Sequence, residues 1–438
     1  MTGRRAPWRL PVELALVGAV AVACWSLVQH LHHQPSHDWF DLGVYRGAVR
    51  WWLDGRPLYS FVRPHSVYGF TYPPFAAVVM VPLAGLGLPA AIVLTTTVCV
   101  ALVAAATWWL VAPIARRIGW SPWFATGLAL PVVLIMDPVR ETLGLGQVNV
   151  FVAALVVADV AALRRGWRWA GVGIGLAAAV KLTPAIFVLY LLLTRRRRAA
   201  GVAVCTTAAA SLAAAAVSPR TSAQFWLHTL WDTSRVGDPA KASNQSLDGV
   251  LARLTEPGAP DRVVWAVLVL AVLVVGLTRA ARAARQGDEW VGVTLTGVVG
   301  CLVSPISWSH HLVWLVPAVA VLVDVATGAR LAGAPVSPAR RRAVGALAGA
   351  SAAVLTAALC TGLFWYASPP RGEPHPHDPV GLLTENSYVL ALLVVLVLLP
   401  ARSPGGTGPA VPGAPAVTGA RGAARSRVPP RPGGSSPR

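Results

Sequence analysis

Charged side chains are scarce in this sequence, at 13% of its residues, whereas an average soluble protein carries about a quarter. The deficit is uneven, because long apolar stretches alternate with short polar connections, and the mean hydropathy is +0.58. A helix that crosses a lipid bilayer needs about 20 apolar residues, or fewer where protein shields it. The pattern therefore predicts an all-α, polytopic membrane protein and leaves no room for a soluble catalytic domain.

Cysteine is also rare, and its five positions lie in apolar stretches rather than in loops: Cys24, Cys99, Cys205, Cys301 and Cys360. Without the spacing of a disulfide framework or a zinc knuckle, these residues are expected to be small core side chains. No spacing of His, Cys and Glu supports a metal site, so the sequence predicts no metal and no cofactor.

Acidic residues number only 18 against 37 basic ones, which gives a net charge of +19. Such an excess can indicate nucleic-acid binding, but here the arginines are grouped at the ends of apolar stretches. The groups are Arg4, Arg5 and Arg9; Arg116 and Arg117; Arg164, Arg165 and Arg168; Arg195 to Arg198; and Arg340 to Arg342. Arginines in such places anchor helices on the cytoplasmic side of a membrane, so we expect contact with membrane lipids and not with nucleic acid.

The apolar stretches set the predicted topology. They cover 10–29, 75–88, 90–112, 123–137, 148–163, 169–180, 182–194, 199–217, 263–278, 290–303, 311–325, 343–366 and 387–400. If every arginine group is cytoplasmic, 75–88 is re-entrant, and twelve crossings remain with both termini inside. In the alternative, 75–88 crosses the membrane, and Arg116 and Arg117 then lie on the outer side. Residues 1–400 then form one integral membrane domain, and 401–438 form a disordered, basic, Pro/Gly-rich cytoplasmic tail.

The first outer loop follows the first apolar stretch and contains 37–46, His-Asp-Trp-Phe-Asp-Leu-Gly-Val-Tyr-Arg. From 43 to 55 the apolar residues share one face, which is typical of an amphipathic helix lying in the membrane interface. Such a helix would hold Asp41 at the membrane edge, where its carboxylate faces water or a polar cavity. The competing interpretation is that Asp38 and Asp41 only cap this helix.

Lysine is almost absent, and one of the chain's two lysines, Lys181, lies between two apolar segments. A cation in that position is energetically costly and indicates function by default, and Pro184 predicts a helix break beside it. A compact ammonium group suits a phosphate, which is therefore the predicted ligand. The competing interpretation is that the lysine only extends its charged end to the membrane surface.

Three further polar groups fall on the outer side of this topology. They are the amides Gln147 and Asn149, the amides Asn244 and Gln245, and the adjacent histidines His310 and His311. Amides suit sugar hydroxyls, although the first pair fits an ordinary helix cap equally well, and paired histidines can bind phosphate or a metal ion. A transporter would instead place its polar groups near the membrane midplane in repeated halves, and the sequence has no such repeat.

Together these motifs resemble the GT-C glycosyltransferases, particularly family 87, the polyprenyl-phosphate-mannose-dependent α-(1→2)-mannosyltransferases. The resemblance runs from about 38 to 325, and its specificity comes from the order and spacing of the motifs. They are Asp41-Leu-Gly-Val-Tyr-Arg46, Leu58-Tyr59, Tyr72-Pro-Pro74, Gly146-Gln-Val-Asn149, Lys181-Leu-Thr-Pro184, Asn244-Gln-Ser-Leu247 and Ser307-Trp-Ser-His-His311. The resemblance implies the GT-C fold, with about 12 transmembrane helices.

The resemblance also implies transfer of a mannosyl unit from a polyprenyl-phosphate donor to a glycolipid or glycan acceptor, at the outer face of the cell membrane and with inversion. Asp41 is the implied catalytic base, and Asp38 is the alternative. One carboxylate suffices, because a phosphate leaves without needing a proton. The other implied residues are Lys181, His310, His311 and Arg46 for the donor phosphate, and Tyr45, Tyr72, Gln147, Asn149, Asn244 and Gln245 for the sugar or acceptor. The lack of a nucleotide-binding glycine loop agrees with a lipid donor.

Other functions stay open at this point. Arabinosyl or another pentosyl transfer is the alternative within the enzymes. A transporter or lipid flippase would use charged residues at the membrane midplane. Only Asp159 and Asp324 approach that description. A non-catalytic scaffold would leave Asp41 and Lys181 unexplained. The acceptor is equally open among phosphatidylinositol mannoside, lipoglycan and glycoprotein.

Overall fold

The computed structural model describes residues 9–30, 37–333, 337–369, 373–376 and 378–403. These residues form helices and the loops that join them. The α-helices are α1 (Arg9–His30), α2 (Phe40–Leu53), α3 (Pro74–Gly85), α4 (Leu88–Arg117), α5 (Pro122–Ile135), α6 (Asp137–Leu145), α7 (Asn149–Arg164), α8 (Val172–Val180), α9 (Ile186–Leu193), α10 (Arg197–Val217), α11 (Pro219–Leu227), α12 (Leu247–Thr255), α13 (Arg262–Arg285), α14 (Glu289–Val303), α15 (Leu315–Ala326), α16 (Pro338–Thr361), α17 (Pro379–Glu385) and α18 (Ser387–Leu398). Short 3-10 helices cover Leu58–Ser60, Thr183–Ala185, Thr229–Trp231, Thr233–Val236, Ser309–Trp314 and Leu363–Ala367. Strand pairing within the described ranges is limited to three isolated bridges, so the predicted all-α class is confirmed.

Five helices are long and apolar enough to cross a membrane. They are α4, α10, α13, α16 and the segment Ser309–Ala326, which includes α15. Two bent pairs, α5 with α6 at 66° and α17 with α18 at 69°, raise the number of candidate spans in the described residues to as many as seven. Helix α3 is among several shorter apolar helices. The chain is therefore a multi-pass membrane protein, whereas the twelve crossings and the re-entrant path of 75–88 stay predictions.

Several arginine-bearing helix ends meet at one end of the bundle, here called the basic end. Arg117 at the end of α4 and Arg402 after α18 both pair with Asp324 at the end of α15, at N–O distances of 2.6 and 2.9 Å. Arg402 also pairs with Asp288, directly before α14, at 2.8 Å. Residues 401–403 at the start of the predicted tail thus belong to the bundle, and the rest of that tail lies outside the described residues.

The two acids considered as midplane charges both have partners. Asp324 forms the ion pairs of the basic end. Asp159 accepts a hydrogen bond from the backbone N–H of Ile174 at 2.7 Å, close to the start of α8. Both carboxylates therefore hold helix ends in place, and neither supports the transporter interpretation.

Four of the five free cysteines are buried, as the sequence predicted. Cys205 is the exception, because it is exposed on α10. Since α10 is a candidate membrane span, this thiol faces away from the protein core. The expectation of a core position is wrong for Cys205.

Helix α2 is the amphipathic helix predicted at 43–55, and it begins earlier, at Phe40; its place in the membrane interface stays a prediction. No side chain caps its N-terminus, and the two preceding residues, Asp38 and Trp39, have φ angles of 42° and 49°. The interpretation of Asp38 and Asp41 as helix caps is therefore wrong. Asp41 lies in the first turn of α2 with its carboxylate available for contacts elsewhere.

Helices α2 and α3 lie side by side. Arg46 of α2 donates hydrogen bonds to the backbone oxygens of Leu83 and Leu86, and Arg50 donates to that of Ala84 at 2.7 Å. The last carbonyls of a helix have few backbone partners, and a guanidinium at a helix C-terminus also interacts favourably with the helix dipole. The two arginines therefore fix the ends of α2 and α3 together.

The helical conformation is interrupted between α8 and α9, as predicted. Lys181 follows α8 in an extended conformation, with φ −146° and ψ 126°, and the 3-10 turn Thr183–Ala185 leads into α9. Helix α9 then returns to the basic end, where Arg196 pairs with Glu289 at 2.5 Å. Lys181 consequently lies at the end of the bundle opposite to the basic end.

Candidate active site

A chain of hydrogen bonds joins α2 to the turn between α6 and α7. The Asp41 Oδ2 atom accepts from Gln147 Nε2 at 2.8 Å, and Gln147 Oε1 accepts from the Tyr72 hydroxyl at 3.0 Å. The Tyr72 hydroxyl also lies 3.1 Å from the Tyr45 hydroxyl. Four of the predicted site residues, far apart in sequence, thus form one connected group around the carboxylate.

A second group surrounds the helix break. The Lys181 Nζ atom donates to Asn149 Oδ1 at 2.7 Å and lies 2.9 Å from His311 Nε2. When Lys181 is protonated, its ammonium can only donate, so His311 Nε2 then accepts and carries no ring proton. The same Nζ lies 5.4 Å from the centroid of the Tyr72 ring, which brings the second group against the first.

His310 completes this arrangement. Its ring packs edge-to-face on that of His311, with centroids 4.7 Å apart, and its backbone oxygen accepts from Asn149 Nδ2 at 3.0 Å. Its Nε2 atom is buried and has no hydrogen-bond partner among the described residues. A buried ring nitrogen without a partner, when it carries the ring proton, can donate to a ligand oxygen.

The turn before α7 places these side chains. Gly146 directly follows the end of α6, and its φ of 69° suits glycine. A Cβ at this position would lie 2.6 Å from the Cβ of Leu42 in α2. The backbone N–H of Trp39 also donates to Gly144 O at 2.9 Å. The start of α2 is therefore fixed against this turn, which brings Asp41 to Gln147.

Burial raises the pKa of the Asp41 carboxyl to about 6, and the hydrogen bond from Gln147 and the positive charge of Lys181 partly offset that rise. A carboxylate with a pKa near neutrality suits general base catalysis, because it is ionised yet basic enough to take a proton. Asp38, the alternative base, is exposed and lies in the turn before α2. The surroundings therefore favour Asp41.

Three predicted site residues lie outside this arrangement. Arg46 bonds to the end of α3. Asn244 is fully buried, and its side chain donates to Pro239 O at 2.9 Å and accepts from the Ser307 N–H at 2.8 Å. Gln245, also fully buried, bonds to backbone groups on both sides of the bend between α17 and α18. The amides hold the segment before His310 in place, and the ligand contacts predicted for all three residues stay predictions.

The sequence analysis missed a buried charged group next to the site. Asp137, fully buried, pairs with Arg140 at 3.2 Å, and Glu141 pairs with His37 in the loop before α2. The group supports the loop that leads into α2, the helix that carries Asp41. The sequence contains an indication of this group, because three charged residues fall within 137–141 in a region otherwise poor in charge.

Two properties define the class of protein. The bundle is helical and spans a membrane, and the end opposite to its arginine groups offers a carboxylate and a cation in one group of side chains. Both fit an integral-membrane group transferase. The sequence model described as Glycosyltransferase family 87 matches residues 70–305, more than half of the chain, and this protein belongs to that family.

Curated relatives agree with this assignment. The chain is 36% identical over 340 residues to the polyprenol-phosphate-mannose-dependent alpha-(1-2)-phosphatidylinositol mannoside mannosyltransferase of Mycobacterium tuberculosis, covering 73% of this chain and 77% of that protein. It is 35% identical over 341 residues to the protein of the same name from Mycolicibacterium smegmatis, covering 73% and 76%. To a phosphatidylinositol pentamannoside mannosyltransferase of M. tuberculosis it is 32% identical over 402 residues, covering 89% and 86%. No solved structure matches the chain.

Proposed function

We propose that this enzyme transfers a mannosyl unit from polyprenyl-phosphate mannose to a hydroxyl group of a phosphatidylinositol mannoside, forming an α-(1→2) linkage. The names of the relatives in family 87 supply the donor and the acceptor class. The observation that carries the proposal is the contact between two groups of side chains. One provides a base, Asp41, and the other provides a cation, Lys181, that suits a phosphate.

In the proposed reaction, Asp41 takes the proton from the acceptor hydroxyl as its oxygen bonds to the anomeric carbon. The bond from that carbon to the phosphate oxygen breaks at the same time, and polyprenyl phosphate leaves with the electron pair. Lys181, with His310 or His311, stabilises the negative charge that grows on the leaving phosphate. A single displacement inverts the anomeric centre, so a β-linked donor yields an α-linked product.

The proposed location is the outer face of the plasma membrane, in a GT-C fold with about 12 crossings. Support comes from the arginine groups, which lie at the end of the bundle opposite to Lys181. Under the positive-inside rule that basic end is cytoplasmic, which puts the site outside. We propose that the reaction needs neither a metal ion nor a cofactor.

The test is transfer by the purified protein in lipid nanodiscs. Radiolabelled polyprenyl-phosphate mannose and phosphatidylinositol mannoside should give a labelled glycolipid with a new terminal α-(1→2) mannose, released by an α-mannosidase. A polyprenyl-phosphate arabinose donor tests the pentosyl alternative. Faster transfer from arabinose than from mannose, or no transfer from mannose with folded protein, would overturn the proposal.

A further inference from the structure

A row of three aromatic side chains begins at Phe40, the residue before Asp41, and ends at Trp308, two residues before His310. Phe40, the residue before the base, packs edge-to-face on Tyr68 with ring centroids 5.9 Å apart. Gly237 passes beside Tyr68 and Trp308 with a φ of 130°, and a Cβ there would lie 3.3 and 3.0 Å from the two rings. The three aromatic residues are partly exposed. The row thus extends from the base towards the segment that carries His310.

Two cations flank this row. The guanidinium of Arg63 lies 4.2 Å from the centroid of the Phe40 ring and donates to the backbone oxygen of the same residue. The ammonium of Lys241, the second of the chain's two lysines, lies 5.0 Å from the centroid of the Tyr68 ring and donates to its hydroxyl. Within the described ranges, no ion pair joins either cation to a carboxylate. Both side chains are at least partly exposed, so an anion can reach them.

Arg63 is built into the side of the site that carries the base. Its guanidinium also lies against Gly43, where a Cβ would be 2.8 Å from Nη1. It therefore contacts the residues on both sides of Asp41 along α2. In an inverting displacement the base and the acceptor lie on the face of the sugar opposite to the leaving group. A cation on the side of the base is thus placed for the acceptor, whereas Lys181 is placed for the donor.

We propose that Arg63, Lys241 and the aromatic row form the acceptor subsite, which recognises the head group of an anionic glycolipid. The cations bind its phosphodiester, and the aromatic rings contact its sugar residues. This inference rests on the proposed mannosyl transfer and adds what selects the acceptor. In a purely structural alternative, Arg63 only holds the loop 54–73 against α2, and Lys241 only holds Tyr68 of that loop against the segment before Asn244.

The experiment measures the two substrate KM values separately in purified Arg63→Gln and Lys241→Gln. Arg56→Gln is the matched control, because Arg56 lies 4.1 Å from the centroid of the Trp51 ring in the same loop and is exposed at the other end of α2. Lys241→Gln keeps the test decisive if Arg63→Gln folds poorly, because Lys241 is exposed and contacts one hydroxyl.

For each variant we expect the KM for phosphatidylinositol mannoside to rise about tenfold, as for loss of one charge-assisted hydrogen bond, with the KM for polyprenyl-phosphate mannose changed less than about twofold. Raising the salt concentration should increase the acceptor KM of the wild type more than that of the variants. An unchanged acceptor KM in folded Lys241→Gln would overturn the proposal. A higher donor KM instead would assign the cations to the donor phosphate.

The outcomes also separate this inference from the proposed function. Wild-type protein that transfers mannose, with variants that keep the normal acceptor KM, would refute only the acceptor subsite. Folded wild-type protein that transfers no mannose to any phosphatidylinositol mannoside would refute both.

Discussion

At the scale of single residues, the central feature is the carboxylate of Asp41. Its pKa of about 6 lies above the ordinary value of an aspartate, and a general base works only when ionised. We therefore expect kcat/KM to fall about tenfold per pH unit below about pH 6 and to level off above it. A pH profile of kcat/KM for the acceptor, measured at low acceptor concentration, checks this.

The proposed role of Asp41 also predicts how its substitution changes kcat. Asp41→Asn should lower kcat by about 10²–10⁴ and remove the acid limb of the profile, because the amide cannot take a proton. Asp38→Asn is the matched control and should stay close to wild type. Loss of activity in Asp38→Asn with retention in Asp41→Asn would transfer the role of base to Asp38.

Lys181 predicts a different kinetic pattern. Lys181→Met keeps most of the apolar side chain but removes the ammonium that contacts Asn149 and His311. We expect a higher donor KM and a lower kcat, since the charge on the phosphate grows as the sugar departs. Lys181→Arg should recover only part of the activity, because a planar fork replaces a compact charge. Unchanged kinetics in folded Lys181→Met would leave only the histidines as phosphate ligands.

Both of these residues stood out in the sequence for local reasons. Lys181 is a rare residue type inside an apolar stretch before Pro184, and Asp41 begins an amphipathic pattern. Their partners could not be predicted in the same way, because the contact of Asp41 with Gln147 spans 106 residues. Nothing local in the sequence reports which amide reaches which carboxylate.

At the scale of elements, Asn244 shows how a polar motif can serve the fold. Its side chain joins the loop before α12 to Pro305 and Ser307, in the segment leading to the histidines. Asn244→Ala would leave the Ser307 N–H buried without its partner, which costs about 1–3 kcal/mol. We expect a lower melting temperature in detergent with little change in donor KM, and Gln286→Ala at the basic end should melt normally. A raised donor KM at normal stability would instead support the predicted sugar contact.

The elements themselves were predictable where the signal is local. The helix at 43–55 and the break at Lys181 follow from periodicity and proline, and both are present. The bends within the α5–α6 and α17–α18 pairs, at 66° and 69°, were not predicted. They depend on contacts between distant parts of the chain, such as Trp365 Nε1 donating to Asp137 Oδ1 at 3.0 Å, which no periodicity shows.

At the scale of the whole molecule, the two ends of the bundle predict the orientation in the membrane. Val67, which is 76% exposed near the site, should react as Val67→Cys with an impermeant maleimide added to intact cells. Arg197→Cys at the basic end should react only after the membrane is opened. Both variants need a background without the five native cysteines. The reverse labelling pattern would put the site in the cytoplasm.

The ion pairs of Arg402 have a practical consequence for handling this protein. Arg402 supplies the only ion pair of Asp288 among the described residues, and Asp288 is almost fully buried. Removing one partner of a buried pair costs about 3–5 kcal/mol, because the remaining charge has lost its compensation. A purification tag joined at Pro400 would therefore weaken the start of α14, although the site is at the far end of the bundle. A tag joined after Ser403 keeps every contact that the described residues make at the basic end, and that is where a fusion partner belongs.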